Sequence, residues 1–193
     1  MRHRSLVAFM VLASACNAKA ADGVVAEGHG SRIRIFGQNG AFADLHPGSA
    51  CLKREGRERV SGSMGSAFGS MFGKVSNVSI GIPETETSQN IRQMDGIASK
   101  AYFREYVIPS GVATSLRLGF RDVSSFYPVG NISYSTPSFS CDGAVSFVPE
   151  VGQDYEVGFT WRGRRCELSV NHVVADGEGV RLEAVPVKPA GKC

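Results

Sequence analysis

Residues 32–36 read Arg-Ile-Arg-Ile-Phe, polar and apolar in alternation, and Gly37 ends the run. A period of two places successive side chains on opposite faces, so this is the pattern of a half-buried strand. The pattern returns in residues 101–108 (AYFREYVI) and 114–120 (TSLRLGF). Pro109, Ser110 and Gly111 stand between them, which predicts a hairpin around a proline and glycine turn. Further candidate strands are 131–134, 144–148, 155–161, 166–170 and 180–185, separated by Gly, Pro, Asn or Asp turn signals. About eight strands spaced by roughly ten residues, with no strong amphipathic helix, predict an all-β chain. The expected architecture is an antiparallel β-sandwich, prealbumin-like or immunoglobulin-like. Residues 144–170 are the clearest part, reading as three consecutive strands joined by two turns. Their core face would carry Val145, Phe147, Tyr155, Val157, Phe159, Trp161, Leu168 and Val170.

One region does not read as sheet. In residues 61–73 (SGSMGSAFGSMFG), Met64, Phe68, Met71 and Phe72 recur at helical spacing, i, i+4, i+7 and i+8. The interleaved glycines oppose a helix, each costing about 0.5–1 kcal/mol against alanine. Two readings stand: a short helix or collapsed loop docked on the sandwich, or an exposed surface where Phe68 and Phe72 meet a membrane or a partner. Residues 82–90 (IPETETSQN) are polar and predict a surface loop. The chain therefore divides into an export signal and one sandwich domain over 21–193, with a Gly/Ser/Met/Phe-rich loop insertion at about 61–99.

The signal changes the charge picture. Arg2, His3 and Arg4 precede an apolar or small run over 5–15, and Ala18-Lys19-Ala20 has the small-x-small pattern of a signal-peptidase site. Residues 1–20 then form a signal peptide. Cys16 follows Ala13-Ser14-Ala15 and resembles the lipidated cysteine of a bacterial lipobox, which would make 1–15 a lipoprotein signal, although the leucine sits at Leu12, one place too early. Both cleavages remain open. The whole chain has net charge +3, but losing Arg2, Arg4 and Lys19 leaves 18 basic against 18 acidic residues. No basic cluster denser than Arg162-Gly163-Arg164-Arg165 remains to track phosphates, which argues against nucleic-acid binding.

Beyond Cys16 there are four cysteines, Cys51, Cys141, Cys166 and Cys193, an even number fitting disulfides in an oxidising compartment. Three connectivities are open. An intervening hairpin favours Cys141 with Cys166, which would stabilise by about 3 kcal/mol through the unfolded state. Cys193 is then the cysteine left free or bridging to another chain.

Residues 32–40 (RIRIFGQNG), His46-Pro47-Gly48 before Cys51, residues 102–111 and residues 151–157 (VGQDYEV) resemble small uncharacterised Gram-negative envelope lipoproteins. Ile108-Pro109-Ser110-Gly111 and the Gly-x-x-Tyr-x-Val strand also resemble prealbumin-like or carboxypeptidase-regulatory-like β-sandwich domains. The resemblance implies a sandwich in the periplasm or on the outer membrane, and it brings no catalytic residue.

The residues themselves offer no catalytic constellation. GxSxG is absent, and His29, His46 and His172 are scattered without CxxC or HxxxH spacing. Glu84 with Glu86, and Asp176 with Glu178, read as solvated acidic pairs on turns rather than a glycosidase dyad. His46 and Cys51 are too weak a pattern for a thiol enzyme. No catalytic, metal or cofactor site is assigned. Phe126, Tyr127, Tyr134 and Phe139 lie in a Ser/Pro/Gly-rich stretch, where they either face the core or form a surface for a sugar or protein partner. The expected function is thus that of a noncatalytic exported envelope protein, a periplasm-facing lipoprotein that binds another envelope protein, as a secretion-system accessory or immunity protein. The alternatives are a carbohydrate- or peptidoglycan-binding module and an uncharacterised hydrolase.

Overall fold

A computed structural model describes residues 30–63, 74–96, 99–122, 125–129, 132–136, 139–162, 165–177 and 179–193. The expected signal with Cys16, and Phe68 and Phe72 of the Met/Phe-rich stretch, lie outside the described residues. The fold is a β-sandwich. One sheet has the order β11 (Gly179–Ala184), β10 (Arg165–Asp176), β9 (Asp154–Arg162), β1 (Gly30–Gly37), β4 (Tyr102–Pro109). The other has the order β12 (Lys188–Pro189), β8 (Phe139–Phe147), β5 (Thr114–Asp122), β2 (Ala41–His46), β3 (Glu58–Ser61). β6 (Ser125–Val129) and β7 (Ile132–Thr136) form a separate two-stranded ribbon. Among the described residues, the named strands pair antiparallel except β1 with β9.

Alternation builds the core. Ile33 and Ile35 of β1 point inward and meet Leu45, Leu116, Val157 and Val170, all at most 1% exposed. The predicted core face of the last third holds for Phe147, Tyr155, Val157 and Val170, with Val145, Phe159 and Leu168 packed against it, while the Trp161 side chain lies outside what the structure describes. Phe147 and Tyr155 meet edge-on across the sandwich at 5.0 Å between ring centroids.

Two predicted neighbours prove to be in different sheets. β4 and β5 are not a hairpin: β4 pairs with β1, whereas β5 pairs with β2 and β8. Pro109 lacks an N–H with which to continue a ladder, and Gly111 takes φ +72° while donating its N–H to the carbonyl of Pro149 at 2.7 Å. The link over 110–113 therefore leaves one sheet and enters the other. Likewise β8 is separated from the β9–β10 hairpin, which alone matches the expected meander. β2, β3, β6 and β12 were not predicted.

The expected polar loop over 82–90 is also different. Thr85 caps the short helix α1 (Glu86–Gln89) through its side chain, with Ser88 returning a bond to the Thr85 N–H, and a 3₁₀ turn (Ile91–Met94) follows. Ile82, Thr85 and Ser88 are buried. The segment is packed onto the outer face of β1, β4 and β9.

Cys141 pairs with Cys166 as expected, but by another route: they lie on β8 and β10 and join the two sheets. Cys193 is not free. It bonds Cys51, 142 residues away, because the C-terminal segment runs beside the loop after β2, with Leu52 N–H donating to the Gly191 carbonyl at 2.8 Å.

Candidate functional site

Arg34 organises the outer face of the first sheet. In register it stands between Glu105 of β4 and Glu156 of β9, so three ionisable side chains share one row. Its Nε and Nη2 donate to Glu105 Oε1 at 3.0 and 2.7 Å, and its Nη1 to Glu156 Oε2 at 3.1 Å. The remaining donors reach the carbonyls of Pro83 and Ile82 at 3.1 and 2.8 Å. All five N–H groups of the guanidinium are thereby used. Glu105 Oε2 accepts from Ser79 Oγ and from the backbone N–H groups of Ile80, Gly81 and Ile82, while Thr85 Oγ1 donates to Glu156 at 2.6 Å. Burial alone would raise the Glu105 carboxyl, but the Ile80 N–H, the Arg34 guanidinium, Ser79 and Ile82 outweigh it and hold its pKa below the ordinary value. Both oxygens of Glu105 are taken up in these bonds, whereas Glu156 offers Oε2 to the clasp and also lines the neighbouring crevice. The cluster is a clasp that fastens residues 79–88 across three strands.

Beside the clasp the sheet opens. β1 pairs with β9 only through 32–34 against 154–156. Beyond that point β1 follows β4 to Gly37 while β9 follows β10 to Arg162, so the strands part. Among the described residues, β9 from 157 onward has no ladder partner on its β1 side. The crevice holds about 420 Å³. Phe36 and Gln38 form one wall and Val157, Phe159 and Thr160 the other, with Leu118 and Phe120 of the second sheet also lining it. Met94 and Leu182 are 42% and 43% exposed at its margin. Phe42 lies over Gly119, its register partner, where a Cβ would overlap the ring.

The described histidine, acidic and cysteine candidates fall elsewhere. Tyr127 stands directly opposite Tyr134 in the β6–β7 ribbon, and Phe139 opens β8 opposite Asp122. His29 and Glu178 lie outside the described residues. His172 is bonded to Gln153 at 2.5 Å, and Asp176 pairs with Arg181. Glu84 and Glu86 are exposed and form no pair across a cleft. Cys51 is disulfide-bonded and offers no thiol to His46. No cluster of three or more His, Cys, Asp or Glu suited to a metal occurs among the described residues. The crevice and clasp were missed because their members come from β1, β4, β5, β9 and the segment over 79–94; the only local trace is the RIRIF alternation.

No helix among the described residues is long and apolar enough to cross a membrane. No protein-family model, curated protein or solved structure matches the chain.

Proposed function

We propose that this chain is a noncatalytic exported envelope protein that binds another envelope protein by accepting an extended apolar segment in the crevice between β1 and β9. The observation that carries the reading is the parting of those strands. It leaves an unpaired strand edge beside an apolar lining, and backbone pairing plus side-chain pockets is a general mode of peptide recognition. A crevice of this volume suits one or two large apolar side chains. The disulfides agree with an oxidising compartment, and the N-terminal pattern with export, either tethered through Cys16 or free in the periplasm.

The test uses a photoreactive residue in place of exposed Thr160, with the mature protein in envelope extract. A single protein cross-linked through an apolar stretch, and lost when Leu182→Asp is added, supports the reading. Retention by peptidoglycan or a glycan array, undiminished in Leu182→Asp, overturns it in favour of a carbohydrate-binding module.

A further inference from the structure

The outer face of the second sheet carries a concavity of opposite chemistry. Asp44 and His46 of β2 and Arg117 of β5 form its floor, and the loop over 52–57 folds back above them. The C-terminal segment closes the side, held by the Cys51–Cys193 bond and by the parallel bridge of Leu52 with Lys192. The cleft holds about 650 Å³.

Its lining has five cationic side chains against two anionic ones. Some of that charge is answered within the fold. Asp44 receives Arg57 at 3.7 Å and Arg59 at 3.2 Å, and Arg117 grips Asp142 from outside at 2.8 Å while lying over the Phe42 ring. Lys53, Arg54 and Lys192 have no carboxylate at ion-pair distance among the described residues, and the Leu52–Lys192 bridge holds two of them on neighbouring segments. A disulfide and a backbone pairing thus keep like charges together in a chain whose 18 basic and 18 acidic residues beyond the signal balance. A second feature lies below them. His46 is only 3% exposed, and its buried Nδ1 has no hydrogen-bond partner. The ring closes the floor of the cleft, and the ligand contacts fall to the cations above it.

We propose that this cleft binds a phosphate-bearing ligand, with Lys53, Arg54 and Lys192 supplying the contacts. Arginine matches phosphate with its planar fork and lysine as a mobile point charge, and the volume exceeds what one inorganic phosphate fills. The phosphate comes either from a soluble ligand or from an anionic lipid headgroup. The site is separate from the crevice and does not depend on the partner reading.

The experiment takes the disulfide-bonded mature chain and two probes. Inorganic pyrophosphate is titrated calorimetrically, and vesicles of phosphatidylglycerol are compared with phosphatidylcholine by flotation. The wild type is expected to bind pyrophosphate or the phosphatidylglycerol vesicles, more weakly as salt rises. Lys53→Ala with Lys192→Ala should weaken binding about tenfold, as the loss of two modest ion pairs implies. Lys53→Arg with Lys192→Arg should restore it, and the charge-matched pair Lys74→Ala with Arg92→Ala should leave it unchanged. Binding to pyrophosphate assigns a soluble source, and binding to phosphatidylglycerol alone a headgroup. No binding to either probe, or equal loss in both alanine pairs, overturns the proposal. Leu182→Asp should leave this binding intact, which separates its failure from that of the crevice.

Discussion

Arg34 is 1% exposed and bonded through all five donors, which makes it the residue whose loss the fold should tolerate least. Arg34→Met would leave two buried carboxylates facing each other without a cation. Breaking a buried ion pair in this way costs about 3–5 kcal/mol, and denaturant unfolding of the variant should show a loss of that size. The same neighbourhood sets a pH dependence. The Glu105 pKa is depressed in the folded protein, so its contribution is present above the ordinary value of 4.5 and is lost as pH falls through the folded value. Burial, only partly offset by Asp44, lowers the His46 pKa from 6.5, so stability should also decline as pH falls below 6.5. Unfolding free energy is therefore expected to fall in two steps on acidification. Glu105→Gln should flatten the lower step and His46→Gln the upper one; a profile unchanged in both variants would contradict the assignment. The alternation around Arg34 was legible in the sequence, but its burial was not. Its two carboxylate partners lie 71 and 122 residues away, beyond any local pattern.

At the scale of elements, periodicity reports which faces are wet or dry and carries no record of which sheet a strand joins. β4 and β5 each alternate, and a proline and glycine link between them would serve a hairpin or a crossing between sheets. The bond from Gly111 to Pro149, across 38 residues, belongs to the crossing. β2 escaped notice because four consecutive residues, Ala43 to His46, are buried, half of them beneath the loop over 52–57 and not in the core. That strand carries a testable contact. Phe42 occupies the space above Gly119, and β-branched bulk there must displace the ring. Gly119→Val should cost about 1–3 kcal/mol by overpacking. Combined with Phe42→Ala, the cost should be smaller than the sum of the two single changes, since they share one contact. Strict additivity in a thermal or denaturant double-mutant cycle would show that the ring does not lean on the glycine.

For the molecule as a whole, the order of assembly follows from the pairings. β1 must find β4 some 70 residues later and β9 some 120 residues later, so the first sheet forms only by closing long loops, which is slow for sandwiches. Each disulfide also joins parts that no hairpin would bring together: Cys141–Cys166 ties sheet to sheet, and Cys51–Cys193 ties the loop after β2 to the end of the described chain. The even cysteine count was legible, whereas the partner of Cys193 was not, because only the folded sandwich runs residue 191 past residue 52. Loss of such a bond typically costs 2–5 kcal/mol, against a total stability of about 5–15 kcal/mol for a domain. Cys51→Ser with Cys193→Ser should therefore lower the melting temperature by roughly 4–20 °C, taking about 2–4 °C per kcal/mol for a chain of this size. The fully reduced chain should be marginal at 37 °C, with a sheet spectrum that weakens in far-ultraviolet circular dichroism once reductant is added. Nonreducing peptide mapping of the oxidised protein should recover both linkages and no thiol at Cys141 or Cys193. A substantial Cys193 thiol, with the melting temperature unmoved by the double serine change, would mean that the C-terminal segment is not stapled. The cationic cleft it closes would then lose one of its walls.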